Sequence, residues 1–410
     1  MTVEIRFIEQ HDVPSVRRVL TTAFGSGDVN QAWDPVWERV FEKDRIFAAW
    51  EGDDMVGVGG SFSFSMSVPG GEVPAAGLTI VGVLPTHTRK GILKKMMEAQ
   101  VEDARAHAEP VSILWASQEI IYQRFGYGPA TTMVNVEVQW GHGSFRNDPG
   151  KSGRIRLLDD DEAIKTFPGI YDRVRAQRPG MLARSPAWWQ FHRLFDPKEE
   201  REGASAFHRV VWENEGAAEG YAIYRVKEGW DYDTGISTGT IAVHEAMSLT
   251  PTAHRELWRY LFGIDLITKV SGYFLPVDDP LQLMVNEPRH LHLRVSDALW
   301  LRVVDLPAAL GARSYRSEGS VTFSVADDMC PWNGGTWRLE ASATGTEVTR
   351  STDGPELAMS AADLGAAYLG AFSFAQMARA GRVDELTPGA LRRIDELFRT
   401  DIQPWNPEIF

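Results

Sequence analysis

The sequence predicts an α+β protein in which a duplicated domain is followed by a third domain. Its 410 residues exceed what one ordinary hydrophobic core accommodates. Strands and amphipathic helices alternate early in the chain, and a strand–proline–helix pattern near Pro85 recurs near Pro251. We therefore expect domains at residues 1–140, 141–294 and 295–410.

The composition is that of a packed globular protein, and it restricts the possible partners. Hydrophobic residues make up 43% of the chain and charged residues 24%, with 14 tryptophans. The net charge of −14 argues against a nucleic-acid partner, which needs a clustered basic face. An acidic cleft would accelerate the approach of a cationic substrate, although acidity can also simply keep a protein in solution.

Targeting signals and cysteine pairs are not evident. The first residues, MTVEIRFIEQ, lack the basic-then-apolar order of a signal peptide. No apolar run approaches the ~20 residues of a membrane span. Cys330 is the single cysteine, which excludes an internal disulfide framework and a cysteine-based zinc site. We therefore expect a cytoplasmic protein with no membrane span.

Hydrophobic periodicity predicts the elements of the first domain. They are a strand at 3–8, helices at 11–24 and 34–41, strands at 45–50, 55–68 and 72–84, a helix after Gly91, a strand at 111–116, a helical turn at 119–126 and a strand at 131–140. The glycine-rich stretch 141–153 follows and is typical of a linker, so we assign the strand at 131–140 to the first domain.

The second domain partly repeats this order. We predict a strand at 154–158, helices at 160–177 and 185–195, a meander at 207–214 and 220–227, and a strand and helix across 239–264. Pro85-Thr86 aligns with Pro251-Thr252 and Arg89 with Arg255, but Leu257 replaces Gly91. These matches predict that the second domain is a copy of the first that has lost the ligand-binding loop. The alternative is that the three matching residues agree by chance.

The third domain has a different pattern of predicted elements from the first two. We predict short strands around 319–326, 335–341, 346–350 and 356–359, an alanine-rich helical pair at 360–381 and a helix at 387–400. Pro404 and Pro407 exclude a helix from the last ten residues, which we expect to be extended.

The stretch GVLPTHTRKGILKKMM, residues 82–97, runs from a strand through a turn into a helix. Pro85 cannot donate to a strand ladder, so pairing should stop there. Gly91 can adopt backbone conformations closed to other residues and lets a ligand approach the chain closely. The amides of residues 89–94, with Arg89 and Lys90, suit a phosphate group. A solvated basic turn is the alternative.

In this strand order, the stretch resembles the acetyl-CoA loop of the Gcn5-related N-acetyltransferases (GNAT), where pantetheine lies along a splayed strand and the pyrophosphate sits in the loop. IYQRFGYG, residues 121–128, resembles the aromatic signature of that superfamily, with Tyr122 as the tyrosine near the thioester sulfur. The loop departs from the usual pattern at Thr88 and Leu93. Binding would therefore depend on the backbone and on Arg89 and Lys90.

VLPTHTRKGIL together with IYQRFGYGPATT resembles the enhanced intracellular survival (Eis) family of actinobacterial acetyltransferases over essentially the whole chain. The resemblance implies tandem GNAT folds, the first active and the second degenerate, and a sterol-carrier-protein-like α/β domain that supplies the C-terminal carboxylate. It also implies a hexamer and an acetyl-CoA-dependent N-acetyltransferase acting on amines of polycationic substrates such as aminoglycosides, an activity that gives antibiotic resistance. No metal is expected.

Direct attack in a ternary complex suits the sequence, because Cys330 lies in the third domain and no Ser-His-Asp spacing is evident. The resemblance makes Tyr122 the proton donor and the carboxylate of Phe410 the proton acceptor. A terminal carboxylate has an ordinary pKa of about 3.5 and would have to be desolvated to take a proton from an ammonium group. His87, in the loop, is the rival base.

Binding residues follow from the loop and from the resemblance. A backbone amide near Val83 is the natural oxyanion donor. The expected cofactor-binding residues are Val81, Gly82, Val83, Arg89, Lys90, Gly91, Ile92, Leu93, Lys94, Ser117 and Gln118. The expected substrate-binding residues, acidic for ammonium groups and aromatic for sugar faces, are Asp28, Trp33, Trp37 and Glu408.

Several alternatives remain open at this point. Trp37 could belong to the core. His290 and His292 could form a metal pair, but no third ligand is identifiable, which favours a structural role. The enzyme could instead acetylate a protein lysine or a small metabolite amine. The transferase could also be vestigial in a lipid-binding or scaffolding protein.

Overall fold

The computed structural model describes residues 3–26 and 31–410. The predicted elements of the first domain are all present. Their bounds are β1 Glu4–Phe7, α1 Val13–Phe24, α2 Asp34–Arg39, β2 Ile46–Glu51, β3 Asp54–Val68, β4 Gly71–Val83, α3 Ile92–Ala106, β5 Val111–Trp115, α4 Glu119–Gln123 and β6 Gly128–Pro129.

The middle of the chain carries a second set of alternating elements. They are β7 Thr132–Gln139, β8 Arg154–Leu158, α5 Asp160–Arg175, α6 Pro186–Trp188, β9 His208–Asn214, β10 Ala217–Lys227, β11 Trp230–Asp231, β12 Ile236–Ser237, β13 Gly239–Ser248, α7 Pro251–Phe262, β14 Ile267–Pro276, α8 Leu281–Met284 and β15 Arg294–Asp297. A π-helical turn, Trp189–Arg193, continues α6.

The remainder forms the third domain and one strand that leaves it. The elements are β16 Leu299–Val303, α9 Leu306–Ala312, β17 Gly319–Ala326, β18 Gly335–Ser342, β19 Gly345–Arg350, β20 Leu357–Ser360, α10 Ala361–Tyr368, α11 Phe374–Arg379, β21 Val383–Glu385 and α12 Ala390–Phe398. Residues 401–410 contain no helix or strand, as the two prolines predict.

Local caps explain where several helices begin. The Asp159 side chain accepts a hydrogen bond from the backbone amide of Glu162, and the Glu162 side chain accepts one from the backbone amide of Asp159. The helix α5 therefore begins with a capping box. Ser360 and Asp363 do the same for α10. These signals lie within four residues of sequence, which is why helix starts could be predicted from the chain alone.

Two seven-stranded sheets form the tandem folds. The first has the order β1-β2-β3-β4-β5-β16-β6, and the second has the order β15-β7-β14-β13-β10-β9-β8. A five-stranded sheet, β19-β18-β17-β20-β21, forms the third domain. No helix in the part of the chain that the structure describes is long and apolar enough to span a membrane.

The two large sheets exchange strands across both predicted domain boundaries. The strand β7, which we assigned to the first domain, pairs with β14 and β15 of the second sheet. The strand β16, from the predicted third domain, pairs with β5 over its whole length. Periodicity predicts a strand but not the sheet that the strand joins. The buried residues of β7 belong to the same hydrophobic cluster as Trp258 of the second domain. Leu301 of β16 belongs to the cluster that contains Phe64 and Val111 of the first sheet. The domain limits at residues 140 and 294 remain predictions, and they do not coincide with the points where the chain passes from one sheet to the next.

Candidate functional site

A gap opens between the two central strands of the first sheet. The strands β4 and β5 are parallel and pair only from Ala75↔Val111 to Gly77↔Ile113. Beyond Gly77, β4 continues to Val83, so its edge facing β5 offers backbone donors and acceptors that this pairing does not use. Val81, Gly82 and Val83, which we predicted to hold pantetheine, lie on this free edge.

A β-bulge accompanies the opening. The register between β3 and β4 shifts between Gly60↔Thr79 and Val58↔Gly82, and Ile80 takes a φ of +48°. An extra residue on one strand bends that strand and increases its local twist. The bulge therefore accounts for the divergence of β4 from β5.

The loop after β4 leads to an uncapped helix N-terminus. Gly91 has a φ of +79°, precedes α3 directly and offers no side chain to cap it. Arg89 and Lys90 are exposed beside it, and the first turn of α3 contains no acidic residue. The free amides and the positive end of the helix dipole, with two cations next to them, fit a phosphate group.

The other predicted cofactor residues surround this loop in different ways. Ile92 is buried, so its amide rather than its side chain is available to a ligand. Lys94 pairs with Glu98 at 3.7 Å on the helix surface. Ser117 and Gln118 are exposed between the end of β5 and the start of α4, on the β5 side of the gap. The structure thus brings the predicted cofactor residues to one gap and one loop.

Tyr122 lies on α4 and is 7% exposed. Its ring meets Tyr127 edge-on at 6.1 Å, and its hydroxyl has no hydrogen-bond partner among the described residues. Burial raises the pKa of Tyr122, so the phenol keeps its proton at neutral pH. Tyr127 differs, because its hydroxyl lies 2.7 Å from Ser112 Oγ and donates to Gln100 Oε1 at 3.2 Å. Tyr127 is therefore a core residue, with no exposed surface.

The C-terminal tail leads from the third domain to the gap. The indole of Trp115, the last residue of β5, donates to the Glu408 carbonyl at 2.6 Å. The Phe410 ring packs edge-on against Phe64 at 5.0 Å. A Cβ placed on Gly77 would lie 3.2 Å from the Phe410 ring. The last residue of the sequence therefore lies where β4 and β5 separate, and the tail is not frayed.

The comparisons with known proteins agree with this geometry. Models of the Acetyltransferase (GNAT) domain match residues 4–130 and 180–303, and a Sterol carrier protein domain matches residues 306–407. An uncharacterized N-acetyltransferase of Streptomyces avermitilis is 40% identical over the full length of both chains. The N-acetyltransferase Eis of Mycobacterium tuberculosis is 33% identical, over 86% of this chain and 85% of its own.

The chain belongs to the Eis family of N-acetyltransferases. The crystal structure of Eis1 from Mycobacterium abscessus superposes with a TM-score of 0.84 at 32% identity and covers all of both chains. A GCN5-related N-acetyltransferase from Anabaena variabilis, 20% identical, has the same fold over the full length with a TM-score of 0.85. The predicted family, the tandem GNAT folds with a sterol-carrier-like domain, and the N-acetyltransferase activity are confirmed.

The second GNAT copy of this Eis-family chain lacks the loop of the first. Pro251 begins α7 directly, and the Thr250 side chain accepts from the Ala253 amide at 3.1 Å, so the helix is capped by its own chain. Leu257, aligned with Gly91, is buried in the middle of α7. The Trp405 indole donates to the Phe274 carbonyl at 2.6 Å, beyond the last paired residues of β13 and β14. The tail occupies the place where the second copy would open.

Glu408, predicted to line the substrate cleft, lies in a buried ion cluster of the second domain. Its carboxylate accepts from Arg184, which also donates to Glu245 at 2.6 Å. Arg193 lies 3.1 Å from Glu245, so two guanidinium groups balance two carboxylates. Burial opposes the charge of Glu408, but Arg184 holds the pKa of this carboxyl well below its ordinary value. The cluster fixes the tail two residues before Phe410.

Sequence reasoning missed the residues that hold the tail. Arg184 is 224 positions from Glu408 along the chain, and no spacing rule connects them. His192 was also missed. Its Nδ1 lies 3.4 Å from Glu408 Oε1, and its ring lies 4.3 Å from that of Trp188.

Aromatic rings connect the predicted substrate residues to the tail. Trp37 is half-buried and stacks on Phe41 at 4.2 Å, and Phe41 lies 5.0 Å from Phe62 beside Phe410. Trp33 bridges to the second domain, since its indole donates to Glu200 at 2.9 Å. Asp28 lies outside the described residues.

The rival base, His87, faces away from the gap. Its Nε2 lies 3.2 Å from Glu51 Oε2 at the end of β2, and its Nδ1 lies 2.9 Å from Thr86 Oγ1. Both ring nitrogens therefore have neighbours on the loop and on a strand two positions from β4 in the sheet. This placement gives His87 a role in holding the loop.

Proposed function

We propose that the enzyme transfers the acetyl group of acetyl-CoA to amines of polycationic substrates, such as aminoglycosides, by direct attack in a ternary complex. One observation supports this above the others: the free edge of β4 runs from Phe410 at Gly77 to the uncapped, basic N-terminus of α3. A thioester cofactor laid along that edge would have its phosphates at the helix and its acetyl end near the tail.

The cofactor site in this proposal is mainly backbone. The free edge at Val81–Val83 holds pantetheine, and the amides of residues 91–94 hold the pyrophosphate with Arg89 and Lys90. Ser117 and Gln118 border the gap from the side of β5. Acetyl-CoA supplies the activated acetyl group, and a free backbone amide of β4 next to that group stabilises the oxyanion that develops on its carbonyl.

The proposed proton transfers use the two ends of the site. The Phe410 carboxylate takes a proton from the substrate ammonium, and the free amine then attacks the carbonyl carbon. As the C–S bond breaks, Tyr122 gives its proton to the departing thiolate, and the second proton that the attacking nitrogen loses on forming the amide restores the phenol. Burial keeps the phenol protonated until then. The rings of Phe62 and Phe64 pack edge-on against the Phe410 ring, and a carboxylate in such apolar surroundings takes up a proton more readily than one in water.

The proposed substrate class rests on charge and aromatic surface. The net charge of −14 attracts polycations. Trp33 and Trp37 belong to the first domain, where their rings would cover sugar faces. The carboxylate of Asp28, which the family resemblance indicates, would pair with ammonium groups. Glu408 is already paired with Arg184, so we assign it to positioning the tail rather than to binding a substrate amine.

A turnover comparison tests the substrate class. Thiol release from acetyl-CoA is measured with kanamycin-like aminoglycosides, with lysine-containing peptides and with small metabolite amines. We expect the highest kcat/KM for the aminoglycosides. Faster turnover of the peptides or the metabolite amines would move the enzyme to those substrates. Saturable acetyl-CoA binding without turnover of any amine would favour a vestigial transferase.

Gly91→Val tests the cofactor loop. A β-branched residue is strained at a φ of +79°, so we expect the Kd for acetyl-CoA to rise at least about tenfold. Isothermal titration calorimetry measures it. Gly216→Val is the matched control, because Gly216 has a φ of +86° and open space around its Cα but lies in the β9–β10 turn. An equal rise in the Kd for acetyl-CoA in both variants would show that the backbone conformation at Gly91 has no specific role in binding acetyl-CoA.

We also propose that the protein is a cytoplasmic homo-hexamer, as the family resemblance implies. Large apolar side chains that are exposed in the single chain support self-association, among them Trp140 at 73% and Tyr232 at 92% exposure. Light scattering on the purified protein measures the assembly, and a monomer at micromolar concentration would overturn this part of the proposal.

A further inference from the structure

We propose that the second domain carries a binding site for a divalent transition metal ion such as Zn²⁺, formed by His142, Glu287 and His290. His142 Nδ1 lies 2.9 Å from one carboxylate oxygen of Glu287, and His290 Nε2 lies 3.7 Å from the other. One ligand atom from each residue lies within 4.8 Å of the other two. The site is far from the predicted cofactor residues in the chain and does not depend on the proposed function.

The fold supplies ligands that the sequence did not connect. In the sequence, His290 and His292 are two residues apart and no third ligand is identifiable. Two segments separated by more than 130 residues in the chain now meet. Phe145 and Val285 form an antiparallel bridge, the Asn286 amide donates to the Ser144 carbonyl at 2.9 Å, and the Arg146 amide donates to the Met284 carbonyl at 2.7 Å.

These backbone bonds give the site a rigid base. Glu287 and His290 belong to one 3-10 turn, Pro288–Leu291 and the residue before it, where the His290 amide donates to the Glu287 carbonyl at 3.0 Å. His142 precedes the bridged segment by two residues. The three side chains therefore start from fixed positions, and little backbone entropy is lost when they converge on an ion.

The distances and the chemistry suit a tetrahedral ion. Donors at about 2.0–2.2 Å from a tetrahedral Zn²⁺ lie about 3.3–3.6 Å from one another. The imidazoles now stack face to face, with ring centroids 3.7 Å apart. A shared ion must lie in the plane of each ring, so one ring has to rotate about its Cα–Cβ bond. Side-chain exposures of 36% for His142 and 42% for His290 leave room for this rotation.

A fourth ligand is available from water or from His292. The His292 ring is exposed and stands edge-on to His290 at 6.2 Å between centroids. Imidazole nitrogens with one carboxylate are ligands typical of Zn²⁺, whereas Mg²⁺ prefers oxygen ligands and retains water. The site should therefore select a transition metal over Mg²⁺.

Titration of the full-length, untagged protein with ZnCl2 tests the site. After treatment with a chelator and buffer exchange, calorimetry should show one saturable Zn²⁺ site, and MgCl2 should not compete for it. His142→Ala and Glu287→Gln should each weaken the apparent Kd at least about tenfold, because each removes a ligand. Zn²⁺ should raise the unfolding temperature of the wild type and not that of Glu287→Gln.

His11→Ala is the matched control. His11 is an exposed histidine between two carboxylates, 3.4 Å from Glu9 and 3.5 Å from Asp12, but it has no second imidazole beside it. Its replacement should leave Zn²⁺ affinity unchanged. Absence of a saturable site in the wild type would overturn the proposal. So would equal affinity in wild type, His142→Ala and Glu287→Gln, or zinc anomalous density in crystals at another place only.

Discussion

Replacing Tyr122 with phenylalanine is expected to lower kcat by about 10²- to 10⁴-fold, the range that a positioned proton donor contributes. The phenol is buried, and its raised pKa keeps the proton available for the leaving thiolate. Phenylalanine retains the ring and its edge-on contact with Tyr127. The Kd for acetyl-CoA should therefore stay within about twofold of the wild-type value, which means that the free energy of acetyl-CoA binding hardly changes.

Steady-state kinetics with the best amine and calorimetry with acetyl-CoA separate the two effects. Tyr127→Phe is the matched control, since it also removes one phenolic hydroxyl. That hydroxyl bonds to Gln100 and Ser112 in the core, so the control should reduce the free energy of unfolding by about 1–3 kcal/mol and leave kcat nearly unchanged. Wild-type kcat in Tyr122→Phe would remove Tyr122 as the proton donor.

Adding three glycines after Phe410 is expected to lower kcat about 10²-fold or more. The extension turns the terminal carboxylate into a neutral amide, which cannot accept the ammonium proton. The tail before it stays anchored, because Arg184 and Glu408 are buried and paired and Trp115 holds the Glu408 carbonyl. Thermal unfolding and acetyl-CoA affinity should therefore match the wild type while turnover falls.

Phe410→Ala separates the carboxylate from the ring. This variant keeps a terminal carboxylate and loses the contacts with Phe62 and Phe64, so we expect a smaller fall in kcat and a less sharply positioned tail. A pH profile of kcat/KM gives the second readout, because loss of the base should change its acidic limb. Turnover by the extended enzyme at the wild-type rate would exclude the carboxylate from the mechanism.

The second GNAT copy positions the C-terminal tail, although the capped N-terminus of its helix α7 is not free to bind a phosphate group. Trp405 lies where the strands of that copy separate, and Arg184 and Glu245 provide the buried charges that receive Glu408. Breaking a buried ion pair on one side typically costs about 3–5 kcal/mol, so this anchor is strong enough to hold an extended tail. The second copy thus holds the C-terminus at the gap of the first copy.

The sequence by itself determined the local features of this protein. A proline that stops a strand, a glycine at positive φ before a helix and a tyrosine in a short aromatic motif are signals within a few residues, and the helices and strands around them formed as predicted. The family resemblance rested on the same stretches. Local patterns survive folding because backbone conformation and capping depend on near neighbours.

Only the tertiary structure decided which distant groups meet. Periodicity identified β7 and β16 as strands, but their sheets depend on packing against residues more than 100 positions away in the chain. Acidic character suggested Glu408 as a substrate ligand, whereas Arg184 neutralises it inside the second domain. The His142–Glu287 contact likewise follows from a bridge between remote segments. Long-range pairing depends on the shape and charge of the assembled cores, which no short window of sequence contains.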